Sequence, residues 1–196
     1  MTGVERRRQL LDTGRELFAQ KGFEATSIEE IAARADVSKP VVYEHFGGKE
    51  GLYAVVVERE MQLLLGRFTS ALDRPGSPRE LLERAALVLL DYIESDTDGF
   101  RVLTRDAPVT SSSGSYSSLL SEVAGKVEHI LGRQFDDRGY PPGRAALYSQ
   151  ALVGMVALVG QWWLDDRSLD KQQLAAHLVN LAYNGLSHLD PQPGLS

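Results

Sequence analysis

Between Thr26 and Lys49 the chain reads TSIEEIAARADVSKPVVYEHFGGK, and few backbone paths suit those residues. Ser27-x-x-Glu30 is a capping-box pattern, in which the hydroxyl accepts from the Glu30 amide and the Glu30 carboxylate returns to the cap amide. Thr26-x-x-Glu29 offers the same arrangement one residue earlier, so either residue can open the helix. Ile28, Ile31 and Ala32 then share one helical face. The helix is expected to stop near Ala35. Asp36 and Val37 make a tight turn, with Val37 placed to plug the angle between two helices. Ser38 is a good cap for the second helix, and Pro40 is tolerated only in a first turn. That helix should run from Lys39 to Phe46, with Val42 and Phe46 as its buried edge. Lys39, Val41, Tyr43, Glu44 and His45 then point outward.

A short exposed helix with this face suits a DNA groove. Lys39 and His45 can meet phosphates, the Tyr43 hydroxyl can donate to one, and Val41 can touch a thymine methyl. Taken on the residues alone, an ordinary helical hairpin with a polar outer face fits as well.

The run from Leu10 to Tyr53 resembles the DNA-binding domain of the TetR family of bacterial transcriptional regulators. The matching pieces are Leu17-Phe18-x-x-x-Gly22-Phe23, Thr26-Ser27-Ile28, Ile31-Ala32, Val37-Ser38, Tyr43-x-His45-Phe46 and Lys49-Glu50-x-Leu52. Beyond residue 53 the chain resembles the family only as an all-helical region. The resemblance implies that Lys49 contacts the DNA backbone. It also implies that the last two long helices form a four-helix bundle with the same pair of a second chain.

Composition sets limits on this reading. The 196 residues suffice for one large or two small domains, and 43% are hydrophobic, so a buried core is feasible. Cysteine is absent, which excludes disulfides and thiolate metal sites and fits a reducing cytoplasm. No apolar segment follows the basic start, so no secretory signal is expected. The longest apolar run, Ala151 to Val159, is too short to span a bilayer. The formal charge of -6 sits mainly after the head: residues 1–53 hold eight Lys/Arg against nine Asp/Glu, the remainder 13 against 18. Phosphate contact depends on local charge, so a near-neutral head is compatible with DNA, provided that dimerisation and fitted contacts supply affinity.

In chain order, Met1 to Arg8 reads as a polar arm, its three arginines Arg6 to Arg8 either solvated or reaching DNA. A first helix from about Val4 to Lys21 carries Leu10, Leu11, Leu17 and Phe18 on one face, and Gly22 caps it. Gly47-Gly48 ends the recognition helix. A long fourth helix, Lys49 to Leu72, is apolar on more than one side. After the Arg74–Pro78 turn, Ser77 caps a helix to about Glu94. Ser95 to Gly99 is a polar break, Phe100 to Ala107 a short helix ended by Pro108, and Thr110 to Ser118 a serine-rich connector or a gate. Helices are expected over Leu119–Phe135, Arg144–Asp165 and Asp170–His188. The second of these is apolar nearly all round, with small residues at Ala146, Ala151, Gly154, Ala157 and Gly160, and should be buried on two sides.

The fold class is therefore all-α, with about nine helices: a DNA-binding head over residues 1–50 and a ligand-binding and dimerisation domain over 51–196. No catalytic or metal constellation is found. The four histidines His45, His129, His177 and His188 lack partners at metal-site spacing, and no phosphate-cradling loop or nucleophile elbow occurs. No enzyme activity, cofactor or membrane association is expected. The function read from this is a ligand-responsive repressor that binds a palindromic double-stranded operator as a homodimer, through about 144–165 and 170–188. Thr26 and Ser27 would position phosphates at the start of the second helix, and Ser38 counts among the DNA-binding residues. Lys39, Pro40 and Val41 would face base edges, and Tyr43, His45 and Lys49 would hold the backbone. A small apolar or aromatic effector would be lined by Tyr92, Phe100, Leu103, Tyr116, Met155 and Trp162, each of which serves equally well as plain core. The alternative is a helical regulator or scaffold whose C-terminal domain binds a protein.

Overall fold

The computed structural model describes residues 2–104, 116–190 and 193. Among these it contains nine helices and no strand: α1 (Gly3–Lys21), α2 (Ile28–Arg34), α3 (Lys39–Phe46), α4 (Lys49–Leu72), α5 (Pro78–Ser95), α6 (Thr97–Thr104), α7 (Tyr116–Asp137), α8 (Arg144–Asp165) and α9 (Lys171–Ser187). The bounds of α3, α4 and α8 are those expected from the sequence. α6 begins earlier than Phe100, because Asp96 already accepts the Phe100 amide and the polar break shrinks to one residue. α7 starts at Tyr116, so the last three residues of the serine-rich stretch are helical. Its remainder, Thr110–Ser115, lies outside the described residues, as do Arg105–Ala107 and Pro108.

The chain groups into two compact units. One joins residues 1–63 to 96–116, and the other joins 64–95 to 117–196. The first unit is built on α1. Its apolar face, with Leu10, Leu17 and Phe18 almost fully buried, receives Ile28 and Ile31 of α2, Val42 of α3 and Leu52 of α4. Phe18, Phe23 and Tyr53 meet edge-on or stacked, at 5.0 to 6.1 Å between centroids. Burying such side chains stabilises by roughly 1.5–3 kcal/mol each. α6 packs on α1. There Arg15 of α1 bridges the almost buried Glu60 of α4, at 3.0 Å, and Asp96 just before α6.

The expected polar arm is not an arm. Thr2 and Glu5 form a capping box: the Thr2 hydroxyl accepts from the Glu5 amide at 3.2 Å, and the Glu5 carboxylate accepts from the Thr2 amide at 2.6 Å. Helix therefore starts at Gly3, and Arg6 to Arg8 form its second turn.

In the second unit α5 is the central element and packs on α8 and α9. Gly160 lets α8 approach α5 closely, since a Cβ there would lie 3.0 Å from both Ile93 Cδ1 and Leu89 Cδ2. Gly154 faces open space instead. Lys171 is pinned by Asp91 and Glu94 at 2.7 and 2.6 Å, which pushes its ammonium up to about 12. The expectation that α8 is buried on two sides holds on one side only. Ser149, Ala157, Gly160 and Trp163 are buried, whereas Leu147, Leu158 and Trp162 are 59, 67 and 48% exposed. α8 is also long and apolar enough to cross a membrane by length and composition alone, because its apolar residues are spread over 22 helical positions rather than one run.

Candidate nucleic-acid interface

The geometry of α2 and α3 follows from their ends. The Ser27 hydroxyl accepts the Glu30 amide at 3.1 Å and opens α2, which fixes the start that the sequence left between two residues. The return half of the capping box is absent, because the Glu30 carboxylate turns to Lys21. Thr26 does not present its hydroxyl. It is buried, and its Oγ1 donates to the Gly22 carbonyl at 2.8 Å, so the expectation of a phosphate contact from this side chain is corrected. Asp36 takes a left-handed conformation at φ 51°, one of the few non-glycine residues that tolerate it, and this turns the chain into α3. Ser38 stands at the N-cap of α3 without a side-chain bond to it, and Pro40 sits in the first turn.

On α3, Val42 is fully buried. Lys39, Pro40, Tyr43 and Glu44 are exposed, and Val41 and His45 are half-buried. Lys39 pairs with Glu29 of α2, which holds that carboxyl below its usual range. Both groups are more than half exposed, so the pair is weakly held and can be exchanged for another anion. Lys49 is more committed. Its ammonium donates to the Phe23 carbonyl at 3.0 Å and lies 4.2 Å from the centre of the Phe23 ring.

Three residues that sequence reasoning passed over set the pose of this helix pair. Arg7 donates to the His45 carbonyl at 2.8 Å, and its guanidinium stacks 4.4 Å from the Phe46 ring centre. A cation there complements the negative C-terminal end of α3. Gln9, one half-turn on, donates to the Ala35 carbonyl at the end of α2 at 3.1 Å. Two side chains of α1 thus hold the C-terminal ends of both helices. Gly51 is the third: a Cβ there would lie 1.9 Å from the Phe46 carbonyl oxygen, so only glycine admits α4 so close to the end of α3. The signal for Gly51 was its place between Glu50 and Leu52 inside a helix, where glycine is otherwise unfavourable.

The six residues expected around an effector fall three to each unit. Tyr92 is fully buried, 5.2 Å from the Arg67 guanidinium. Phe100 and Leu103 are buried in the first unit, where Phe100 meets Tyr116 edge-on at 5.9 Å. Among the described residues the Tyr116 hydroxyl has no hydrogen-bond partner, and burial pushes its titration well above the ordinary tyrosine range. Met155 is half-buried on α8, and Trp162 stands on that helix's open face. The second unit contains an apolar cavity of about 110 Å³ lined by none of these six. Its walls come from the end of α4, from α5 (Leu81, Ala85), α7 (Leu131, Gln134), α8 (Leu152) and α9 (Leu186). Among the described residues no group of three His, Asp or Glu side chains could hold a metal ion.

Comparison with known proteins agrees with this anatomy. Residues 10–56 match the family described as bacterial regulatory proteins, tetR family, and residues 67–195 match a tetracyclin repressor-like C-terminal domain. The HTH-type transcriptional activator FasR of Mycolicibacterium smegmatis is 34% identical over 190 residues, covering 94% of this chain and 84% of its own. The HTH-type transcriptional repressor KstR2 of the same organism is 33% identical over 91 residues, 46% of this chain and 44% of its own. A TetR-like transcriptional regulator from Rhodococcus sp. RHA1 superposes with a TM-score of 0.78 at 30% identity, covering 93% of this chain and 96% of that one.

Proposed function

The chain belongs to the TetR family of bacterial regulatory proteins, and from that premise we propose that it is a dimeric, ligand-responsive transcriptional regulator acting in the cytoplasm. The observation that carries the DNA-binding role is the outward face of α3. Lys39 and Tyr43 are exposed and Val41 and His45 half-exposed around the fully buried Val42, on a helix whose end is clamped by Arg7. Lys39, Pro40 and Val41 reach base edges, Tyr43 and His45 the backbone, and Ser27 and Ser38 phosphates at the two helix starts. Lys49 reaches the backbone only by releasing the Phe23 carbonyl. Residues 1–50 carry this role, and residues 51–196 carry ligand binding and dimerisation.

Dimerisation is supported by the open face of α8. Leu147, Ala151, Gly154, Leu158 and Trp162 recur at intervals of four, three, four and four, which places them on one side of the helix. Such a stripe of large apolar residues interleaved with small ones suits a self-complementary pairing across a two-fold axis. Leu181 of α9, 65% exposed, extends the apolar supply. Two heads held in this way address two half-sites about 34–36 Å apart, or a matched multiple of that spacing.

Whether a bound dimer represses or activates follows from where its operator lies against a promoter. Of the two relatives above, one is an activator and the other a repressor. We propose repression, since a dimer seated over a promoter excludes other proteins by volume alone.

The test is selection of bound sequences from random duplex DNA, with binding followed against salt. A palindromic consensus bound by two or four chains is expected, with affinity falling steeply as salt rises. Weak binding indifferent to sequence, lost near physiological salt, would reject the regulator reading.

A further inference from the structure

The cavity of the second unit has an uneven polarity. Its lining is almost wholly aliphatic and aromatic, and the single charged residue among its lining residues is Arg138 at the end of α7. No carboxylate lines it. Gln134, in the last turn of α7, and Arg138, one residue past its end, both line the cavity. Neither the Arg138 guanidinium nor the Gln134 amide has a hydrogen-bond or ion-pair partner among the described residues. Six other arginines, Arg7, Arg15, Arg34, Arg59, Arg79 and Arg84, bind carboxylates or carbonyls. The third polar side chain at the rim, Ser187, has already spent its hydroxyl proton on the Tyr183 carbonyl at 2.7 Å. The Arg138 guanidinium is thus the one charged donor at the rim, beside the Gln134 amide, which can donate or accept.

We propose that this cavity binds an apolar monoanion, with its apolar body inside and its carboxylate on Arg138 and Gln134. The proposal deepens the effector reading given above and names the ligand class for it. A guanidinium fork and an amide N–H lining one cavity match the two oxygens of a carboxylate. A cation is excluded by Arg138 and by the lack of a carboxylate, and a polyanion finds only one positive group. The volume of about 110 Å³ sets the body's size, since an apolar cavity of roughly 150 Å³ admits benzene. At about 110 Å³ a short alkyl chain fits and an aromatic ring enters in part, with the charged end at the open rim.

The test uses the full-length chain and four probes: phenylacetate and hexanoate, and their uncharged counterparts 2-phenylethanol and hexan-1-ol. Affinities are measured by titration calorimetry for the native chain, Arg138→Gln and Ala85→Leu. Arg138 is exposed, so its replacement leaves the fold intact, as circular dichroism would verify. Each acid is expected to bind at least about tenfold more tightly than its alcohol, the usual size of a charge-assisted contact. Arg138→Gln should erase that preference and leave the alcohols unchanged. Ala85→Leu, which adds carbon to the cavity wall, should weaken all four. Equal binding of acids and alcohols, a preference that survives Arg138→Gln, or no binding by any probe overturns the proposal. Operator affinity with and without phenylacetate is read separately. A native chain that binds the acid with no change on DNA removes the effector role from the cavity and leaves the site standing.

Discussion

The first unit uses its side chains on itself, and the second leaves some of them unspent. Around α2 and α3, Arg7, Gln9, Lys21, Lys39 and Lys49 each have a partner, and the aromatic trio Phe18, Phe23 and Tyr53 closes on itself. In the second unit a stripe of α8 stays open, and Gln134 and Arg138 reach an unfilled cavity. The difference fits two tasks. A reading head works only if its recognition helix is already posed, because ordering it on contact would cost affinity. On the proposed reading, a sensing and pairing unit is completed by what it binds: a second chain on the α8 stripe and a ligand in the cavity.

Replacing a stripe residue with a charge should break the comparison most strongly. Leu158→Glu, 67% exposed in the single chain, should leave the monomer folded but shift it from dimer to monomer in sedimentation. Operator affinity should then fall by about 10²–10⁴-fold, the advantage that two linked heads gain over one. An unchanged dimer would remove α8 from the interface.

The next effect belongs to the head. Gly51→Ala places a methyl against the Phe46 carbonyl, a contact that nearby side chains cannot relieve by changing rotamer. A loss of about 1–3 kcal/mol in stability is expected from such crowding. It should be read in denaturant melts, together with weaker operator binding.

Arg7→Ala should be smaller still. Losing a charged hydrogen bond and a ring contact is expected to weaken operator binding about tenfold, and the salt slope should stay unchanged. A slope that falls by about 0.9 would instead make Arg7 a phosphate contact. The mildest change is Lys39→Gln. Freed from a weak surface pair, Lys39 should give a loss of a few-fold on DNA and a lower salt slope by up to about one unit, measured by titration at several salt concentrations.

Much of the head was legible in the order of its residues, because its determinants are local. Ser27 at a cap, Pro40 in a first turn and Gly47 in a left-handed turn at φ 73° act within a few positions of themselves, so α3 and α4 could be bounded to the residue. The body's helices were equally visible as periodic apolar runs. What those runs could not convey is which side meets which neighbour. Trp162 and Trp163 are adjacent and chemically alike, yet one is open and the other buried, its indole donating to the Leu169 carbonyl at 2.9 Å. Tyr92, Phe100 and Met155 looked equally able to line a pocket, and none of them lines the cavity of the second unit.

By itself, then, the order of residues determined the helical class, the bounds of most helices and the helix pair that meets DNA, since caps, turns and 3.6-residue periodicity are short-range properties. Only the tertiary structure decided that Thr26 turns inward, that Arg7 clamps α3 instead of trailing as an arm, and that Gly51 is required where α4 passes Phe46. It also decided where the cavity lies. Each of these depends on groups far apart in the chain meeting at van der Waals or hydrogen-bond distance, 38 residues apart for Arg7 and His45, and no local pattern encodes such a meeting.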